Sequence, residues 1–251
     1  MIVFTDLDGT LLEEDGALGP AARAVVDELR ARRIPVVPLT SKTRRELTHW
    51  LDVLEAGDAG AFENGAGILR MGESEVFPAA VAARELRLVL ESLRRHTGLP
   101  LFSFEEIPDG SMTRLTGLSH EEAARARSRE FDLPFAAPAD LPERLTGSVL
   151  PAGVRLTRGG RFWHLSGDHD KGGALRVLSA RLGGGPTLGL GDAPNDAPFL
   201  RLVDRAILVP RASGVDPALA VLVPEAARAE EPAGAGWAAA VREALGDLEA
   251  A

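Results

Sequence analysis

The strongest constraint on the fold is an alternation of strand-like and helix-like segments at each end of the chain. The run I-V-F-T-D-L begins at Ile2. An acidic, Gly-containing loop follows, and Pro20 opens a helix with Val25, Val26 and Leu29 on one face. The β-rich run Ile34 to Leu39 comes next, then a helix from Thr43 to Leu54 and a short apolar piece at Ala61–Phe62. Strand, helix, strand, helix, strand with short connections predicts a parallel sheet covered on both faces. The rhythm resumes near the other end. A helix is expected from Lys171 to Leu182, a strand from Thr187 to Leu190, a helix from Ala193 to Val203, and strands at Ala206–Val209 and Ala220–Val223. A-E-E-P-A-G-A-G then reads as a linker to a last helix, Trp237 to Leu248.

Between residues 82 and 165 the pattern changes. A helix from Val81 to His96 precedes a short strand, Leu101–Phe104, and a loop E-I-P-D-G-S-M-T-R. Another helix opens at Ser119 with the capping-box pair Ser119 and Glu122. Val154–Thr157 and Phe162–Leu165, joined by R-G-G-R, predict a hairpin. The expected architecture is therefore an α/β, Rossmann-like parallel core built from residues 1–81 and 166–251, with an α+β insert at 82–165.

Composition narrows the function classes. The chain has no Cys, which excludes disulfides, thiolate metal sites and a Cys nucleophile. The formal net charge of −9 argues against a nucleic-acid partner. There is no apolar run long enough for a membrane helix and no signal-peptide pattern at the N-terminus, so a cytoplasmic, non-membrane protein is expected. Few thermolabile side chains and 17 Pro suit a thermophile, and a GC-rich genome accounts for the bias equally well. Lys is nearly absent: only Lys42 and Lys171 occur, so 26 of the 28 basic residues are Arg. Asn also occurs only twice, at Asn64 and Asn195.

All four scarce residues fall in segments that can carry chemistry. In D-L-D-G-T, Asp6 and Asp8 lie where the first strand ends, the edge at which open α/β sheets bind ligands. One carboxylate there can act as nucleophile and the other can move protons. Both also offer hard oxygen donors to Mg²⁺. P-L-T-S-K-T-R places Thr40, Ser41 and Lys42 after the second strand and before a helix, where a hydroxyl and main-chain N–H groups can meet an anion. G-D-H-D-K-G-G-A sets Lys171 at a helix start with His169 beside it. An ammonium there is a compact point charge for a phosphate. G-L-G-D-A-P-N-D adds Asp192, Asn195 and Asp196 between a strand and a helix, and E-N-G-A puts Asn64 in the loop after the third strand.

D-L-D-G-T-L-L resembles the first motif of the haloacid dehalogenase superfamily, most of whose members are phosphatases, and the later segments resemble its remaining motifs. The resemblance covers the whole chain. It departs at Ala193, where Gly is frequent, and at Pro194. It implies that Asp6 attacks phosphorus to form an aspartyl-phosphate, and that Asp8 protonates the leaving oxygen and then activates water. Thr40 and Lys171 complete the implied catalytic set, and Mg²⁺ is implied on Asp6, the main chain of Asp8, and Asp192. Ser41, Lys42, Asn64, Asn195 and Asp196 are assigned to substrate contacts, with Asp196 also open as a ligand or supporting acid.

The insert resembles a class-two cap. Its segment from Ser111 to Phe131, with T-S-K-T-R and G-D-H-D-K-G-G-A, is similar to mannosyl-3-phosphoglycerate phosphatases. That implies hydrolysis of a small phosphorylated glycoside, 2-O-mannosyl-3-phosphoglycerate, to the compatible solute mannosylglycerate. Arg114 and His169 join the substrate-binding set on this basis, and Arg125 and Arg129 are further candidates for a glycerate carboxylate. A glucosyl-3-phosphoglycerate or sucrose-phosphate type of phosphatase, and a phosphomutase, are the alternatives on the same scaffold. A silent binding module fits the motif set poorly.

Overall fold

The computed structural model describes residues 1–138, 141, 150–158 and 162–250. They form two units: Met1–Glu75 with Asp170–Ala251, and Val76–His169. The second unit extends beyond the 82–165 expected for the insert.

The first unit is built on a five-stranded, all-parallel sheet. Its strands are β1 (Ile2–Thr5), β2 (Val36–Pro38), β10 (Thr187–Gly191), β11 (Arg205–Leu208) and β12 (Ala227–Arg228), in the order β12-β11-β10-β1-β2. β1 thus has a strand on each side and is wholly buried, as its unbroken apolar run requires. A smaller sheet holds β3 (Ala59–Phe62), β4 (Gly67–Arg70) and β5 (Glu73–Val76). A parallel bridge between Leu39 and Ala61 brings β3 alongside the chain leaving β2.

Helices α1 (Pro20–Ala31) and α9 (Ala233–Ala250) cover one face of the large sheet. Val25, Val26 and Leu29 pack there with Trp237, Val241 and Leu245 against Val3, Leu188 and Leu190. Each such side chain contributes about 1.5–3 kcal/mol when fully buried. The indole of Trp237 donates to Thr5 Oγ1 at 3.0 Å, and Thr5 Oγ1 donates to the carbonyl of Asp6 at 2.6 Å. The last helix is thereby tied to the end of β1.

The second unit has an antiparallel sheet of β6 (Phe102–Ser103), β7 (Asp132–Ala136), β8 (Val154–Arg158) and β9 (Trp163–Gly167), in the order β6-β7-β9-β8. Helix α3 (Ala83–Thr97) lays Leu86, Leu90 and Leu93 on Leu133, Phe135 and Leu165. Two short helices, α4 (Asp109–Thr116) and α5 (His120–Ala126), enclose a lesser core around Phe104, Ile107 and Met112. The Ser119–Glu122 capping box forms as the sequence predicts. The strands of the expected hairpin pair as β8 and β9, and its turn, residues 159–161, lies outside the described residues.

Four expectations need correction. The run Ala220–Val223 is not a strand, because helix α8 (Pro217–Leu222) occupies it. Asp216 caps that helix by accepting the N–H groups of Ala218 and Leu219. The expected helix from Ala193 to Val203 shrinks to a single 3₁₀ turn, Pro194–Asp196, and α7 (Ala197–Leu200), since Pro194 and Pro198 cannot donate to a longer ladder. The A-E-E-P-A-G-A-G linker ends early, as α9 already begins at Ala233. The E-I-P-D-G-S-M-T-R loop contains the start of α4.

Trp237→Phe should remove the donor to Thr5 and destabilise the protein by about 1–3 kcal/mol in urea unfolding. An unchanged midpoint would show that the indole hydrogen bond contributes nothing.

Candidate active site

Because β1, β2 and β10 are parallel neighbours, the residues that follow them emerge at one edge: Asp6 and Asp8 after β1, Thr40 after β2, and Asp192 after β10. Helix α6 (Lys171–Arg181) begins there too, capped by Asp170, whose carboxylate accepts the N–H of Gly173 at 2.8 Å. The first residue of that helix, Lys171, is fully buried. Its Nζ lies 2.7 Å from Asp6 Oδ1 and 2.7 Å from Asp196 Oδ1. Among the described residues none donates to the second oxygen of Asp6.

The electrostatics follow from burial and crowding. Burial pushes the Asp6 carboxyl well above its usual range, and Lys171 opposes that shift while Asp196, Asp192 and Asp8 add to it. Burial and the Asp196 charge raise Asp192 to about 6, against the pull of Arg211 and Thr10. For Lys171, burial alone would favour the neutral amine, and the Asp196 and Asp6 carboxylates outweigh it, so its pKa is raised and the ammonium stays charged.

Asp196 also organises its own loop. Its Oδ2 accepts the main-chain N–H groups of Asp192 at 2.9 Å and Ala193 at 3.0 Å. One carboxylate thus fixes both Lys171 and the turn that carries Asp192. Carboxylate oxygens of Asp6, Asp192 and Asp196 lie within 4.8 Å of one another. This buried set of hard oxygen donors, without His or Cys, suits Mg²⁺ chemically.

A second group of contacts builds the Thr40 loop. Thr40 Oγ1 accepts the N–H of Lys42 at 3.0 Å. The N–H of Thr43 goes to Glu46 at 2.8 Å, inside a full capping box on α2 (Arg44–Leu54). Two of the main-chain donors expected to face an anion are therefore already committed. Lys42 extends to Asp8, Nζ to Oδ1 2.8 Å, with Glu46 at 3.9 Å. Burial disfavours the Lys42 ammonium, but Asp8 and Glu46 more than compensate, so its pKa is raised. Ser41 lies beside it, half-buried.

The E-N-G segment locks onto this loop. Glu63 and Asn64 donate their N–H groups to the carbonyls of Lys42 and Thr40, at 2.8 and 2.9 Å. Glu63, Asn64 and Gly65 all have positive φ (46°, 59° and 88°). A Cβ at Gly65 would sit 2.2 Å from the carbonyl oxygen of Asp170, so the helix start carrying Lys171 can approach only a glycine. Asn195 Nδ2 donates to Asn64 Oδ1 at 3.0 Å, which links this loop to the Asp192 turn.

The structure thus gathers Asp6, Asp8, Thr40, Ser41, Lys42, Asn64, Lys171, Asp192, Asn195 and Asp196 in the first unit. Arg114 and His169 belong to the second. There Arg114 is exposed and donates to Ser111 at 3.1 Å, while His169 is buried. Arg125 pairs with Glu121, and Arg129 lies 3.4 Å from the fully buried Asp132, which His164 Nδ1 also engages at 2.9 Å. Two site residues escaped sequence reasoning. Thr10 donates to Asp192 Oδ1 at 3.1 Å, and Arg211 Nε donates to Asp192 Oδ2. Thr10 carried a readable signal, being the last residue of D-L-D-G-T, whereas Arg211 is one of many arginines.

Known proteins resemble this chain in sequence and in fold. The family model described as haloacid dehalogenase-like hydrolase matches residues 3–107. A protein of Methanococcoides burtonii named glucosyl-3-phosphoglycerate/mannosyl-3-phosphoglycerate phosphatase is 34% identical, over 98% of this chain and 97% of its own. A protein of Persephonella marina with the same name is 30% identical, over 99% and 98%. A solved sugar phosphatase of haloacid dehalogenase subclass IIB has the same fold, with a TM-score of 0.65, 16% identity, and coverage of 88% and 90%. The chain belongs to the haloacid dehalogenase-like hydrolases and is a phosphatase. Among the described residues, no helix is long and apolar enough to cross a membrane.

Removing the ammonium would leave Asp6 and Asp196 uncompensated in a buried site. Lys171→Met should therefore cost about 3–5 kcal/mol in urea unfolding at pH 7. A loss below about 1 kcal/mol would mean that the two carboxylates do not depend on Lys171.

Proposed function

We propose that the protein is a Mg²⁺-dependent phosphatase that hydrolyses 2-O-mannosyl-3-phosphoglycerate to mannosylglycerate and phosphate. The observation that carries the chemistry is the pairing of Lys171 with one oxygen of Asp6 while, among the described residues, none donates to the other oxygen. Lys171 orients Asp6 and favours its ionised form against the opposing effect of burial. The free oxygen attacks phosphorus in line, and the bond from phosphorus to the glycerate oxygen breaks. Asp8, half-exposed and held by Lys42, gives its proton to that leaving oxygen. Asp8 then takes a proton from water, which attacks the aspartyl-phosphate, and the Asp6 carboxylate returns as phosphate leaves. The Thr40 hydroxyl donates to a phosphoryl oxygen. A bound Mg²⁺, held by Asp6, Asp192 and the main-chain oxygen of Asp8, supplies charge neutralisation to the phosphoryl group.

The substrate is supported by the names of the two relatives above, which pair the mannosyl with the glucosyl compound. Those names also favour a second reading, in which both glycosides are hydrolysed. Arg114 and His169 are proposed as substrate contacts from their residue types and from the family resemblance.

Phosphate release should be followed over mannosyl-3-phosphoglycerate, its glucosyl analogue, 3-phosphoglycerate, mannose 6-phosphate and sucrose 6-phosphate. The mannosyl compound should have the highest kcat/KM. A preference for either hexose phosphate would overturn the assignment. Chelation should abolish release and added Mg²⁺ should restore it, whereas full activity in excess chelator would exclude a metal requirement. Asp6→Asn should lower kcat by about 10³-fold or more while the protein stays folded. Near-normal turnover in that variant would remove Asp6 from the nucleophile role.

A further inference from the structure

Asp192 follows β10 with both carboxylate oxygens engaged, but its two donors differ in kind. Thr10, on Oδ1, is fully buried in the loop that follows Asp8. Arg211, on Oδ2, has a side chain 30% exposed. Its main chain is anchored in a tight turn after β11, where Arg211 and Gly214 exchange hydrogen bonds at 3.1 and 2.8 Å. The base of the side chain is therefore fixed, while part of the side chain is open to solvent. A glycine keeps the space beside Asp192 Oδ2 open. A Cβ at Gly9, where φ is +79°, would lie 2.8 Å from that oxygen and 3.5 Å from Arg211 Nε.

The charges give this contact a consequence. Three clustered carboxylates, Asp6, Asp192 and Asp196, face two cations, Lys171 and Arg211, which leaves one net negative charge. Lys171 is buried between two of the acids and has nowhere to move. Arg211 is the cation at the border. A divalent ion that takes Asp192 as a ligand meets the guanidinium on the same carboxylate, and like charges so close repel strongly in a site shielded from water. We propose that Arg211 is a positioning residue that holds and neutralises Asp192 when no divalent cation is bound, and that yields Oδ2 when one arrives. This rests on the Mg²⁺ reading above. Arg211 then sets the affinity for the metal by competing with it, and keeps the acid cluster ordered until the metal binds.

The test is calorimetric titration of Mg²⁺ into the full-length protein, with melting midpoints measured in chelator and in Mg²⁺. Arg211→Met should bind Mg²⁺ about tenfold more tightly than the parent protein, because the competitor is gone and the cluster is more negative. Its midpoint in chelator should fall, and the rise on adding Mg²⁺ should grow. Arg211→Lys keeps the charge without the guanidinium fork, so its Mg²⁺ affinity should lie nearer the parent's than the Met variant's. Equal or weaker Mg²⁺ binding by Arg211→Met, beside measurable binding by the parent, would overturn the competition while leaving the metal assignment intact. Absence of Mg²⁺ binding by the parent protein would remove the metal reading and this inference with it. If Arg211→Met does not fold, Arg211→Gln serves the same comparison, since it is neutral and keeps a hydrogen-bond donor.

Discussion

A single buried ammonium organises the site. Lys171 is fully enclosed yet stays charged because it lies between Asp6 and Asp196. Neither carboxylate would be tolerable at that depth without it, and an unpaired ammonium there would be equally costly. The arrangement imposes its geometry on distant parts of the chain. Helix α6 has to start at Lys171, so Asp170 caps it. The E-N-G loop has to let that start come close, so residue 65 is Gly. Asp196 has to meet the ammonium and the Asp192 turn at once, so the chain after β10 makes a 3₁₀ turn rather than a long helix.

The global charge overstates the local one here. The whole chain is acidic, at −9, yet its acid cluster is nearly balanced by two cations placed within it. An anionic substrate answers to the local field, which is set by a few buried groups. Scarcity in the composition marked those groups well. Both lysines form ion pairs with site carboxylates, and the two asparagines bond to each other across two loops. The arginines that dominate the surface offered no such contrast, which is why Arg211 went unnoticed.

The parallel core was readable because β1, α1, β2 and α2 carry strong periodic signals and short connections. The gathering of the motif residues was readable because each motif directly follows a strand of the parallel sheet or opens the next helix. Other elements were hidden by competing local chemistry. β7 contains Pro134, which disguises a strand that pairs on both sides. The Asp-Gly-Ser start of α4 reads as a turn, since Gly and Ser are poor helix formers. The short apolar run of α8 resembles a buried strand until the cap at Asp216 and the following Pro are weighed. The exact pairings of Lys42 with Asp8 and of Asn64 with Asn195 depend on loops meeting in space, and no spacing in the chain encodes that meeting.

The proposed catalysis depends on Asp6 taking the phosphoryl group from substrate. Its most direct test is to quench the enzyme in acid during turnover of mannosyl-3-phosphoglycerate with Mg²⁺, then digest it and locate phosphate by mass spectrometry. The predicted result is one phosphoryl group on the peptide that carries Asp6, lost on treatment with hydroxylamine and absent from the Asp6→Asn protein. Phosphate on a different side chain, or sustained turnover with no phosphorylated peptide at any quench time, would contradict it.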